Sequence, residues 1–475
     1  MFKRLGVWLC RLPLQSAVRL VLWGGLAVLL QGQGTVSGKP PNTSDGSMSG
    51  MDHSSMDHSS TSPGQSSMAG MDMPGMDMSG SNAAGMFLMG LSSGTGVNPS
   101  AWPMPMITKQ LASWSTMFMA QAFINDTQQS GPRGADKLYS TNWFMANTEH
   151  RVGKNGALQV QVMLSLEPAT VTDRRYPLLF QTGETAYGKP IVDGQHPHDF
   201  IMALGILYAH SITENTMLEL YAAPVGDPAL GPVAYPHRAS AMELPQATLS
   251  HHWQDSTHIA NDVVTAGLAY KKLRLEASGL HGAEPDEFRW NIDSGPIDSW
   301  STRLWYLPSK NWAAQVSVGR LTHPELLEPG DQTRATASVE YSRPMQGGSW
   351  STSLIWGRKH STYTKRNTNS YTAESVLPIR RKNFVTGRAE LVDKDELFAG
   401  QPVIEESLDQ YYGSTFRIGA YTLGYTRDLD LFRAVEVGIG ANIEAYTLPP
   451  AITPYYGNHP FSSNVFVRFR LKPRS

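Results

Sequence analysis

Between residues 107 and 471 the hydrophobic pattern repeats every two residues, in one segment after another. A period of two sends alternate side chains to opposite faces of an extended chain, so it admits strands and disfavours helices. Residues 156–169 (GALQVQVMLSLEPA) place Leu158, Val160, Val162, Leu164 and Leu166 on one face and Gln159, Gln161, Met163 and Ser165 on the other. Residues 333–342 and 383–392 alternate likewise, with Arg334, Glu340, Arg388 and Glu390 on their polar faces. The stretches 416–429 and 463–471 continue the pattern.

A soluble β sandwich also alternates, and a soluble periplasmic β protein is the competing fold. Three features favour a membrane barrel. The segments run to about ten residues or more, the length of a tilted spanning strand. Their polar faces carry paired Arg and Glu, which suits a lumen. Trp114, Trp143, Trp300, Trp312, Trp350, Tyr421 and Tyr446 recur near segment ends, as an interfacial girdle requires. Ser-Trp-Ser-Thr opens strand-like segments at 113–116, 299–302 and 349–352. The expected fold is all-β: a transmembrane antiparallel barrel of about 14 strands, within 12–16, in an outer membrane. Lys472-Pro473-Arg474-Ser475 extends the last strand beyond the aromatic residue on which such barrels usually end.

Ahead of the barrel the composition changes twice. Residues 1–34 read as a secretory signal: Lys3, Arg4, Arg11 and Arg19 precede the apolar run Val21–Leu30. An uncleaved membrane anchor is the alternative. Residues 35–106 are rich in Ser, Gly, Pro, Asp and Met and read as a disordered tail; the barrel domain is 107–475. Cys10 is the only cysteine, so a mature chain without the signal has no thiol for a nucleophile or a zinc site. A net charge of −2 and 17% charged residues give no electrostatic case for nucleic acid.

Ten of the 21 methionines lie between Met48 and Met89, where a disordered chain offers them nothing to pack against. Soft thioethers bind Cu(I) and Ag(I), and imidazole accepts Cu(I) or Cu(II). The repeats MDHSSMDHSS and MDMPGMDMSG set Met51, His53, Met56 and His58, then Met71, Met73, Met76 and Met78, at short spacing. A biased linker is the bland alternative. The MDH and MDM units make this tail resemble the Met/His-rich leader of the copper resistance protein B family. The resemblance implies copper as the bound ion, with another transition metal as the alternative, and an outer-membrane location.

Seven of the fourteen histidines fall between Gly194 and His258. Residues 198–212 and 216–226 read as a hairpin of spanning strands turning at Glu214-Asn215, and 258–270 as the next strand. The segment 224–257 is then a long loop at the far rim, and long loops face outward. His196, His198, His237, His251, His252 and His258 can gather at that mouth. His196 and His198 point the same way if extended, as Pro197 encourages. His237, His252 or His258 can supply a third ligand, with Asp199 or Asp255 as ligand or orienting partner. His251 and His252 point apart in an extended chain, and His210 reads as facing the lumen. Hydrogen-bonded loop residues are the bland alternative for all of these.

The motifs GQHPHD, DPALGP, PHRASAMELP and HHWQDSTHIANDVVTAG resemble a group of uncharacterised bacterial outer-membrane barrels associated with metal-resistance genes. The resemblance covers most of 190–330. The barrel portion does not clearly match copper resistance protein B, whose likeness stays with the leader.

Three functions are consistent with this pattern. The first is an outer-membrane barrel for copper or silver binding, tolerance or export, with lipid, metal ions and periplasmic copper-handling proteins as partners. The second is a general porin. The third is a metal-dependent hydrolase, with Glu243 as base; HExxH and GxSxG are absent, and Asp-Ser-Thr-His at 255–258 is a faint Ser–His echo. Metal handling without catalysis ranks first.

Overall fold

The computed structural model describes residues 81–412 and 415–472. The signal segment and the ligands expected at Met51, His53, Met56, His58, Met71, Met73, Met76 and Met78 lie outside the described residues.

The alternating segments form a closed antiparallel barrel of sixteen strands, two more than the fourteen expected. A short β1 (Ile107–Leu111) leads into β2 (Trp114–Gln129), β3 (Lys137–Val152) and β4 (Gly156–Leu164). A separate hairpin follows, β5 (Tyr176–Ala186) and β6 (Lys189–Gln195). The wall continues with β7 (Ile201–Thr213), β8 (Thr216–Gly226), β9 (Ala260–Tyr270), β10 (Leu273–His281), β11 (Ser299–Ser309) and β12 (Trp312–Leu321). It is completed by β13 (Gln332–Met345), β14 (Gly348–Ser361), β15 (Asn367–Ile379), β16 (Asn383–Lys394), β17 (Phe416–Leu429), β18 (Val435–Thr447) and β19 (Phe461–Leu471). Pairing of β19 with β2, from Ser462↔Gln129 to Arg470↔Gln121, closes the cylinder and leaves no free edge in the wall. β1 adds to the end of β2 without entering the ring.

The two faces divide by polarity. Outward positions are apolar and exposed, among them Ile206, Leu220, Val264, Leu304, Val316, Leu354, Leu423 and Ile443. Trp114, Trp300, Trp312, Trp350 and Tyr421 stand on this side near strand ends or along the band, whereas Trp143 and Tyr446 are buried. His210 follows Leu204, Ile206 and Tyr208 on the outward side, against the lumenal expectation, and its Nδ1 lies 3.2 Å from the Tyr208 hydroxyl. Lumenal positions carry charge in pairs. Arg274 donates to both oxygens of Glu219 at 2.7 and 2.6 Å, and Arg303 to Glu276 at 3.0 Å. An apolar outer band on a closed barrel is the arrangement lipid demands. A charge placed in that band is costly: Ile206→Arg, in mid-strand, is expected to lower unfolding stability by about 2–4 kcal/mol. Denaturant titration of refolded protein in vesicles checks this, and a loss near zero rules out lipid at that face.

One end of the barrel has short turns, such as 214–215, 271–272 and 346–347; the other carries the long connections. The loop expected to project outward does not. Residues 227–259 fold back into the lumen as a plug, nearly all buried. Ala229 N–H donates to Ser278 of β10, Gly231 N–H to Ser317 of β12, and Thr141 of β3 to the Pro245 carbonyl. Ser250 N–H donates to Glu390 of β16 at 2.9 Å, and Gln254 to Ser370 and Thr372 of β15. Bonds to strands on every side make the plug part of the core. Gly357 on β14 permits one close approach: a Cβ there would lie 2.4 Å from the Trp253 carbonyl oxygen.

Residues 81–106, grouped above with the tail, are also ordered. A helix, α1 (Ala83–Met89), is capped by Asn82, whose side chain accepts from Gly85 N–H. Phe87, Leu88 and Leu91 pack with Leu207, Tyr221 and Leu280 inside the wall. Asn82 also donates to the Lys154 and Gly156 carbonyls, at the short-turn end.

Candidate metal centre in the barrel plug

Two chain reversals assemble the site. The β5–β6 hairpin delivers Gln195 and then His196-Pro197-His198 into the barrel, and the plug brings a helical turn, His251–Gln254. The helical turn is what the extended reading missed. It lets His251 and His252 share one neighbourhood, and it sets His251 four residues from Asp255, whose Oδ1 lies 2.7 Å from His251 Nδ1.

The result is a buried trio. One ligand nitrogen each from His196, His251 and His252 lie within 4.8 Å of one another, close enough to share an ion once the rings turn inward. Of the expected ligands, His196 and His252 are therefore brought together, joined by His251, which was not among them. His198 and His258 form an adjacent pair with ring centroids 5.2 Å apart. His258 also stands 5.2 Å from His251. His237 lies apart, its ring against Trp143 at 4.3 Å. Asp199 is taken by Arg289 at 3.1 Å.

The orienting bonds leave specific nitrogens open. His251 Nδ1 faces Asp255, which also accepts from Tyr235 N–H and Arg238 at 2.9 Å. His258 Nδ1 lies 2.7 Å from the Asp255 carbonyl, and its Nε2 has no partner. His198 Nδ1 lies 3.0 Å from Glu167, and its Nε2 is 3.3 Å from the Tyr235 hydroxyl. His252 has no hydrogen bond at either ring nitrogen. Gly183, with φ +115°, touches this ring: a Cβ there would lie 2.5 Å from His252 Cε1. No larger residue fits between the hairpin and the imidazole.

His196 has a carboxylate neighbour. Its Nδ1 lies 3.1 Å from the Pro197 carbonyl and its Nε2 3.0 Å from Glu184 Oε1. Arg289 also binds the Glu184 carboxylate, so a positive charge already stands beside that contact.

Burial holds these rings neutral. It lowers the pKa of His196, His251, His252 and His258 below the ordinary 6.5 and takes His237 down to about 3. Neutral imidazole is the metal-binding form. The sign follows: free imidazoles lose copper as pH falls through about 6.5, whereas these do not yet bind protons there. Cu(II) loaded onto these rings is expected to resist release below pH 6.5 longer than Cu(II) loaded onto exposed histidines, read by metal content after dialysis. Complete release near pH 6.5 contradicts a buried site. The same shift removes stability from the metal-free protein as pH drops below 6.5, since the unfolded chain then binds more protons.

An acidic vestibule of about 770 Å³ opens at the long-loop end, lined in part by Gly183, Glu184, Glu325, Glu328 and Glu396. Glu325, Glu328 and Glu396 also cluster closely, but the Lys359 ammonium stands 3.2–3.9 Å from them and supplies the cation. Glu243 does not suit a base: Arg468 and Arg470 both bind its carboxylate, the latter at 3.0 Å. Ser256 donates to Glu284 at 3.2 Å, and His258 turns to the Asp255 carbonyl, so no Ser–His pair forms.

No family model and no curated protein matches this chain. Among solved structures, Salmonella typhi OmpF in complex with daunomycin superposes with a TM-score of 0.47 at 8% identity, over 77% of this chain and 100% of that one. An anion-selective porin from Comamonas acidovorans gives 0.42 at 11% identity, over 75% and 99%. The outer membrane channel DcaP of Acinetobacter baumannii gives 0.43 at 7%, over 76% and 99%. The strand pairing itself, not these likenesses, establishes the barrel.

Proposed function

We propose that this chain is an outer-membrane barrel that binds copper or silver ions and serves in copper tolerance or export, with its histidine site carried on the plug. The observation that carries this reading is the buried trio of His196, His251 and His252, with no hydrogen bond at either ring nitrogen of His252. A buried polar atom left without a partner costs about 1–3 kcal/mol, a cost that a coordinated ion removes. The acidic vestibule favours cations over anions at the long-loop end.

The Met/His tail is the second part of the proposal. Residues 48–80 capture ions and meet periplasmic copper-handling partners. Deleting 48–80 is expected to lower copper per chain, measured by elemental analysis on protein purified from outer membranes, while a fraction held by the plug remains. Unchanged stoichiometry removes the tail from the function. Absence of copper from both proteins, after loading, removes the whole reading.

A further inference from the structure

The interior holds a second concentration of soft donors. Nine of the twelve methionines among the described residues belong to or pack on one cluster: Met89, Met104, Met106, Met117, Met119, Met145, Met163, Met202 and Met242. Eight of its twelve buried members are methionine, and none is leucine or phenylalanine. Elsewhere the interior is filled differently. The cluster around α1 contains one methionine in sixteen members, and the one around Phe180 contains none in fourteen. A core that needed only volume would use the same side chains throughout.

The placement is ordered. Met119, Met145 and Met163 stand in direct register on β2, β3 and β4, so their thioethers share one lumenal row. The next row is Met117, Asn147 and Gln161. Met242 comes from the plug, and Met89 and Met106 from the 81–106 segment. Two buried polar side chains at this cluster lack partners. Asn147 is 1% exposed, and neither amide atom has a hydrogen bond. His237 is 2% exposed with both ring nitrogens free, and it packs on Trp143 within the cluster.

We propose that the methionine row on β2–β4, with His237 and Asn147 beside it, is a second metal site, selective for a soft monovalent ion, Cu(I) or Ag(I). Thioether sulfur prefers such ions, and a neutral buried surface tolerates one positive charge better than two. The site lies where the plug, the 81–106 segment and the wall strands β2–β4 meet. The choice of ion rests on the metal-handling reading above; the site itself does not depend on the histidine trio.

The test uses the full chain in detergent with ¹³C-labelled methionine methyls and silver(I) nitrate as probe. Single changes Met119→Leu, Met145→Leu and Met163→Leu each remove one signal and so assign the row. Silver is expected to shift all three signals, in the wild type and in a His196→Ala/His252→Ala variant alike. Loss of Cu(II) binding in that variant with shifted methyls confirms two separate sites. Shifts confined to tail methionines, with the row unmoved at saturating silver, overturn the inference. The triple leucine variant should bind one silver fewer per chain; if it does not fold, the wild-type spectrum still decides.

Discussion

Replacing His252 with alanine is expected to weaken Cu(II) binding by the barrel about 100-fold or more, which is about 2.7 kcal/mol or more. His252 makes no hydrogen bond that its removal would break. Its loss therefore leaves the strand pairing and the plug's anchors in place. Competition titration against a chelator of known affinity, on protein with residues 48–80 blocked or deleted, measures the change. His210→Ala is the control, because that ring faces outward beside Tyr208. Equal affinity in the wild type and His252→Ala excludes the trio.

Arg238→Ala is expected to release the plug. The Arg238 guanidinium is wholly buried and donates to Glu374 on β15 at 2.6 Å, to Asp255 at 2.9 Å and to the Val233 carbonyl at 2.8 Å. Its removal leaves two carboxylates in the lumen with one cation fewer, a loss of about 3–5 kcal/mol. An exposed pair is different in kind: Arg320 and Asp331 meet at 2.7 Å with the arginine half exposed, and breaking it should cost about 1 kcal/mol or less. Planar-bilayer conductance separates the two. Arg238→Ala should conduct far more than the wild type, and Arg320→Ala should match it. Equal conductance in all three contradicts a plug held by this arginine.

The strands were legible because lipid and lumen impose opposite polarity on successive residues. Arg334, Glu340, Arg388 and Glu390 read as lumenal from sequence, and all four are buried inside. The count was less legible because some hairpins turn on two residues, as at Gln346-Gly347, inside an unbroken run of strand-like sequence. The plug could not be read at all. Residues 227–259 have the Pro, Gly and His content of a surface loop, and their burial depends on Glu374, Glu390 and Arg468, more than a hundred residues away. His251 carried one local signal, its spacing of four from Asp255, which suits a helical turn. Residues 81–106 share the tail's composition, and only Phe87, Leu88 and Leu91 hinted at an inner surface.

The last strand has a consequence for how the molecule is put together. Arg468 and Arg470 on β19 both grip Glu243 of the plug, and Asn464 on β19 bonds to Thr127 and Asn125 on β2. One strand thus zips the cylinder shut and fastens what lies inside it. The seam and one anchor of the plug therefore draw on the same strand, and a chain truncated before β19 loses the closing pairing and the grip on Glu243 together.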